Sequence, residues 1–292
     1  MQDYGGASQI QRTKTTKTIL NPQKSIIMTA TTQNPLEKLI GNLEARNKRK
    51  SDHIVPAGKL IWTNDNDFIV QHGADFESFY KPSELFESQI AEKLGIPMHY
   101  FRKMKQNVPQ LLTDNVNQWL GHYDKNKYLV RGFTNDSTNV LTGRAFLSNS
   151  YNIIDDYEVL FAALEAIKDT GVNVKIDRAE VTENRLYLHV TCPEVEINAE
   201  AFLKEYLKEN DAAGNGIISG FTITNSEVGR GAFEIRPRAV ICKCNNGLIV
   251  KDERFRRVHL GSKMEAGEVL WSDKTQQKNK ELIISQVTDA VK

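Results

Sequence analysis

Between residues 127 and 191 the hydrophobic pattern runs strand, strand, helix, strand, strand, and this order limits the chain more than any other feature. Residues 127–133 and 140–147 are rich in β-branched and aromatic types. They flank the polar cluster TNDSTN, whose Asn, Asp, Ser and Thr side chains favour a turn, so a hairpin is expected. Asp155 or Asp156 then stands where a helix cap is wanted. The helix runs to Asp169 with an apolar stripe of Val159, Leu160, Ala163, Leu164 and Ile167, and Gly171 is its stop. Two further strands are expected at 172–181 and 185–191, joined at Glu183 and Asn184. The fold class this implies is α+β: a mixed, mainly antiparallel sheet core with packed helices, a helical N-terminal part and a C-terminal helix.

The flanking segments fill in the organisation. Residues 1–33 are rich in Thr, Gln, Ser and Lys and lack apolar periodicity, which reads as a disordered or partner-ordered leader, with Met28 as an alternative start. Residues 34–123 form the helical N-terminal part. In it, 35–50 is an amphipathic helix with Leu36, Leu39, Ile40 and Leu43 on one side and a basic end, RNKRK, that complements the helix dipole. Residues 62–80 suit a small strand pair or an irregular connection. SELFESQIAEKLG has a Ser start, helical spacing of Leu85, Phe86, Ile90 and Leu94, and Gly95 as stop; a second helix opens at Pro97 and a third spans 109–123. The join QIAEKLGIPMHYFRKM has the small residue, turn glycine and buried aliphatic of a helix-turn-helix. Its second helix, however, opens on Met98, His99, Tyr100 and Phe101, which suits packing better than reading base edges. Residues 124–265 are the β-rich α+β core, with a helix at 198–209, the breaker DAAGNG, and strands at 217–224, 232–244 and 248–251; residues 266–292 carry the C-terminal helix.

Several function classes are disfavoured at once. No stretch approaches the roughly 18 apolar residues of a membrane span, and the leader lacks the apolar region of a secretory signal. Three cysteines, Cys192, Cys242 and Cys244, form no disulfide framework, so a cytoplasmic setting is expected. No phosphate-cradling Gly-rich Lys motif, no paired-histidine zinc motif and no nucleophile elbow is present, so an ATP-independent, non-enzymatic role without cofactor is expected. Cys242, Cys244 and His259 fall short of a zinc set and read as strand residues. His189 alternates with Leu188 and Val190 as an ordinary strand histidine.

Charge supplies the positive lead. The whole chain carries a net charge of +1, yet residues 225–263 hold nine Lys or Arg against four Asp or Glu. On a strand Phe233 and Ile235 point one way while Glu234, Arg236 and Arg238 point the other. The two arginines would then stand roughly 6.5–7 Å apart, near the phosphate repeat of a single nucleic-acid strand. Arg230, Lys243, Arg254, Arg256, Arg257 and Lys263 extend the basic character; the competing reading is a solvated sheet with ion pairs to Glu227, Asp252 and Glu253. In the hairpin, Arg131 shares a face with Phe133, and Arg144 with Phe146. That interleaving of cation and aromatic suits phosphate holding with Phe133 and Phe146 as stacking platforms, or simply a core.

GRAFLSNSYNIIDDYEVL, GFTITNSEVGRGAFEIRPRAVICKCNNGLIV and RRVHLGS together resemble the phage/plasmid-like protein family, a domain-of-unknown-function family of phages, prophages and mobile plasmids. The likeness covers about residues 37–262 and is most specific at Asn225-Ser226-x-x-Gly229, Cys244-Asn245-Asn246-Gly247 and Arg257-x-His259. Asn245 and Asn246 depart from the single Asn usual before that glycine. The resemblance implies a mobile element working in a bacterial cytoplasm, in DNA recombination or replication. In outline the core is also similar to ring-forming single-strand annealing recombinases, an analogy at the level of fold. The expected function is therefore ATP-independent single-stranded DNA binding and annealing by a homo-oligomeric ring or filament. The alternatives are a host-interaction or anti-defence protein that binds a protein partner, and a metal-dependent nuclease built on Asp155 and Asp156.

Overall fold

The computed structural model describes residues 35–73, 76–135, 137–198, 216–241, 247–249, 255–257, 259, 267–268 and 273–291. Helix α1 (Pro35–Arg49) runs without a turn residue into β1 (Lys50–Pro56). The short strands β2 (Leu60–Trp62), β3 (Phe68–Gln71) and β4 (Glu77–Pro82) follow. Then come α2 (Glu84–Lys93), α3 (Met98–Asn107), α4 (Pro109–His122), and the hairpin of β5 (Lys127–Asn135) and β6 (Thr138–Ser148). After α5 (Asp156–Thr170), strands β7 (Lys175–Val181), β8 (Leu186–Asn198), β9 (Gly216–Asn225) and β10 (Phe233–Ile241) build a second sheet. It is extended by β11 (Gly247–Ile249) and β12 (Phe255–Arg257), both of which pair with β10. Strand β13 (Gly267–Glu268) returns to β1, and α6 (Asp273–Val291) ends the fold.

The α+β expectation holds, with helices packed on open, mainly antiparallel sheets. The first sheet has the order β13-β1-β5-β6-β4-β3-β2, antiparallel except where β4 lies parallel to β6. This sheet crosses the boundary expected at residue 123, because β1 to β4 join the hairpin in one ladder. The second has the order β11-β10-β9-β8-β7. The helix expected at 198–209 lies outside the described residues.

Local signals act as their chemistry predicts. The Ser83 hydroxyl accepts from the Phe86 amide at 3.2 Å to start α2, and Gly95 ends that turn at φ 69°. Gly171, at φ 67°, stops α5. The helix-turn-helix-like join packs inward: Ala91, Ile96, Phe101 and Met104 are buried in one cluster with Trp62, Phe68, Phe86 and Phe146. A second core lies on the other sheet, where Leu39 and Leu43 of α1 meet Leu160 and Ala163 of α5, Ile283 and Val287 of α6, and Phe221, Phe233 and Ile235. Helix α1 thus packs on the second core while its chain continues into the first sheet. Its basic last turn is thereby delivered to the junction between the sheets.

Candidate anion-binding cleft

That junction is built on a buried charge network. Arg131 on β5 stands directly opposite Asp52 on β1, and cross-strand partners share a face. Its guanidinium makes a bidentate bond to the Asp52 carboxylate at 2.9 and 2.8 Å, donates to Asp155 Oδ1 at 2.8 Å, and donates to the Glu227 carbonyl at 2.7 Å. Lys50 Nζ holds the other oxygen of Asp155 at 2.6 Å. Arg144 pairs with Glu227 at 2.8 Å, and the other Glu227 carboxylate oxygen accepts from the Asp156 amide at 2.8 Å, capping α5 from outside the helix. Asp155 therefore occupies the cap position without making the cap bond.

The network sets its own protonation. Burial pushes the Asp155 carboxyl up, but Arg131 and Lys50 outweigh it and hold it at about 2. Asp156 goes the other way, raised well above the usual carboxylate range by burial and then by the Glu227 charge; Asn225 Nδ2 donates to it at 2.8 Å. These carboxylates are engaged with cations and amides. Among the described residues no three His, Cys, Asp or Glu side chains are arranged to hold a metal ion, so the nuclease alternative has no metal-binding geometry there.

Asn225-Ser226-x-x-Gly229 fastens the second sheet onto the first. Both Asn225 and Ser226 are fully buried. Tyr151 Oη donates to the Ser226 carbonyl at 2.8 Å and accepts from the Gly229 amide at 3.2 Å. Gln89 bridges the Val228 carbonyl and the Phe146 amide, each at 2.8 Å. His259 stacks on Tyr151 at 5.0 Å and bonds the Asn152 carbonyl through Nδ1, so the Arg257-x-His259 element braces the same turn. Gly229 sits at φ 75°, a left-handed conformation that favours glycine, and an added Cβ would stand 2.7 Å from Leu147 Cδ2, so that side chain would have to move.

Two sequence-predicted sites need correction. Arg131 is 1% exposed and gives four of its five N–H donors to carboxylates and a carbonyl, so it is not presented to a phosphate. Phe146 is 0% exposed in the first core, so it cannot be a stacking platform. The expected sharing of a face by Arg144 and Phe146 fails because β6 carries a bulge. Register passes from Arg131↔Ala145 to Gly132↔Gly143, leaving Arg144 as the extra residue, and a bulge re-aims the side chain it carries. Arg144 is thereby placed with its guanidinium 4.0 Å from the Phe133 ring centroid, while Phe146 stays on the opposite face.

The β10 row alternates as expected, with Phe233 and Ile235 inward. Its arginines are already paired, however: Arg236 with its strand neighbour Glu234, and Arg238 with Asp177 at 3.1 Å, their side chains 36% and 10% exposed. The row is thus partly compensated by carboxylates, as is Arg144, whose side chain is 10% exposed beside Glu227. Arg230 is exposed and donates to the Ser88 hydroxyl at 2.8 Å. Arg256 and Arg257 lie on β12 opposite Glu234 and Phe233. Lys243, Arg254 and Lys263 fall outside the described residues. His189, in mid-strand, has its pKa lowered by burial and then by Arg238 and Arg178.

What the structure does bring together is a cleft of about 320 Å³ lined by Arg46, Arg49, Phe133, Arg144, Glu183 and Asn184. It shares Arg46, Phe133 and Arg144 with a much smaller pocket of about 10 Å³, whose lining includes Lys50, Arg131, Asp155 and Glu227. Arg49 lies 5.5 Å from the Phe133 centroid, so the ring has a guanidinium from α1 and another from β6 around it. Arg46 donates to the Thr182 carbonyl at 3.1 Å. Its pKa is lowered by burial and then by the like charge of Arg144. Arg46 and Arg49 were not among the expected site residues. Their signal was the RNKRK run itself, which the helix dipole also accounts for.

No helix among the described residues is long and apolar enough to cross a membrane. Comparison with protein-family models, curated proteins and solved structures finds no match.

Proposed function

We propose that the protein binds single-stranded nucleic acid, with single-stranded DNA as its ligand, and that the cleft between α1 and the β5–β6 hairpin is where it does so. The observation that carries this reading is the convergence of Arg46, Arg49 and Arg144 around Phe133 in one cleft, with Glu183 as the carboxylate at its outer wall. Guanidinium groups hold phosphate in a fork geometry and also stack on bases, and an aromatic ring beneath them keeps their planes in place. A single strand exposes both phosphates and base faces, whereas a duplex hides its base faces. Annealing of complementary strands without ATP, in recombination or replication of a mobile element, is the activity such binding would serve. Oligomerisation into a ring or filament would add avidity along a long strand.

The test is anisotropy of a labelled single strand at two salt concentrations, with a matched duplex alongside, for the native protein, Arg46→Ala/Arg49→Ala and Arg236→Ala/Arg238→Ala. The expected result is salt-sensitive preference for the single strand, lost in the first double variant and retained in the second. Binding that follows Arg236 and Arg238 instead would return the site to the β10 strand, and absence of binding to both nucleic acids would sink the proposal and leave a protein partner as the reading to pursue.

A further inference from the structure

We infer that the cleft receives the phosphorylated end of a nucleic-acid strand rather than a stretch of its interior, an inference that rests on the single-strand reading above. The cleft closes inward. The inner pocket beside Phe133 holds only about 10 Å³, room for a water at most, and its wall is Arg131, Asp155 and Glu227, all buried, with Arg131 bonded to both of the others across the sheet junction. A continuous strand needs an entrance and an exit, and at this inner wall an exit would require breaking the Arg131–Asp52–Asp155 network. The cleft's volume of about 320 Å³ is that of a pocket for a small ligand, enough for a terminal nucleotide and not for a path along a sheet.

Charge points the same way. An internal phosphodiester carries a single negative charge, whereas a terminal phosphomonoester carries about −1.5 to −2 near neutral pH. Arg46, Arg49 and Arg144 line one outer cleft. Arg144 already gives one N–H to Glu227 and Arg46 one to the Thr182 carbonyl, so each is held in place while part of its guanidinium fork remains for a ligand. Three guanidinium groups, those of Arg46 and Arg144 anchored, match the acceptor oxygens of a monoester better than the two non-bridging oxygens of a diester. Asn184 and Asn42 on the outer wall supply amides within the same cleft for the edge of a terminal base.

The experiment compares one internally labelled strand prepared with a 5′-phosphate, with a 3′-phosphate or with hydroxyls at both ends, by anisotropy against the intact protein. Unlabelled nucleoside monophosphate and inorganic phosphate serve as competitors. An added charge-assisted contact corresponds to roughly tenfold or more in affinity. The expected result is that one phosphorylated end binds about tenfold tighter than the hydroxyl strand, and that Arg46→Ala/Arg49→Ala removes the difference. Equal affinity for all three strands, with binding retained, would overturn the end-recognition inference and leave single-strand binding standing. A monophosphate or inorganic phosphate that competes as well as the phosphorylated strand would overturn it in favour of a free nucleotide or phosphate site. Failure of every strand to bind would remove both readings.

Discussion

Replacing Arg131 by Met keeps most of the side-chain length and deletes the charge at the centre of the junction. Asp52 would then be buried without its bidentate partner, Asp155 would retain only Lys50, and the Glu227 carbonyl would lose its donor. Removing one partner of a buried ion pair costs about 3–5 kcal/mol, against a typical domain stability of about 5–15 kcal/mol. With a urea dependence near 3 kcal/mol per molar, the unfolding midpoint should fall by roughly 1–1.7 M. Replacing Asp52 and Asp155 by Asn in the same chain should recover part of that loss, because no uncompensated charge stays buried. The assay is urea unfolding followed by circular dichroism, with strand binding measured on whatever fraction remains folded. A midpoint within about 0.3 M of the native protein would refute the reasoning, since that corresponds to about 1 kcal/mol. So would a stably folded Arg131→Met protein with weakened strand affinity, which would restore Arg131 as a phosphate contact.

Three further outcomes follow from the same geometry. The Asp155 carboxyl is held at about 2 against 3.8, so its stabilisation is complete above pH 3.8 and is lost as pH falls through about 2. Glu158, pushed up to about 7 by burial and then by Asp155, acts in the opposite sense. Its contribution is complete below pH 4.5 and is lost as pH rises through about 7, so Glu158→Gln should flatten the fall in melting temperature over that window. Gly229→Ala should lose about 1–3 kcal/mol, because a positive φ and the approach to Leu147 both penalise a Cβ, and the thermal midpoint reads this directly. Phe146→Ala should cost about 3–5 kcal/mol by opening a cavity among Phe68, Phe86 and Tyr128 while leaving the strand affinity of the folded protein unchanged; a selective loss of affinity would contradict its place in the core.

Local chemistry was legible in the residues. The hairpin, the Ser83 start, the Gly95 and Gly171 stops and the inward alternation of Phe233 and Ile235 all depend on neighbours a few positions apart. What escaped is non-local. β1 follows α1 with no turn residue to announce it, and the parallel pairing of β4 with β6 joins segments about 60 residues apart. The bulge at Arg144 breaks a face pattern that strict alternation would have kept. Charge counting misled for a related reason: the basic segment looked uncompensated because Asp177, the partner of Arg238, lies outside it. Conversely, its own Glu227 pairs with Arg144 of the hairpin. The cleft was hidden because its arginines come from segments far apart in the chain, and their run on α1 has a sufficient local explanation in the helix dipole.

The central claim is that strand binding follows the cleft and not the β10 row. Anisotropy titrations of one labelled single strand with Arg46→Ala/Arg49→Ala and Arg236→Ala/Arg238→Ala, at matched low salt and with folding checked by circular dichroism, separate the two. Loss of on the order of tenfold or more in affinity, confined to the first variant, is the result the account predicts. Unchanged binding by a folded Arg46→Ala/Arg49→Ala protein would contradict it.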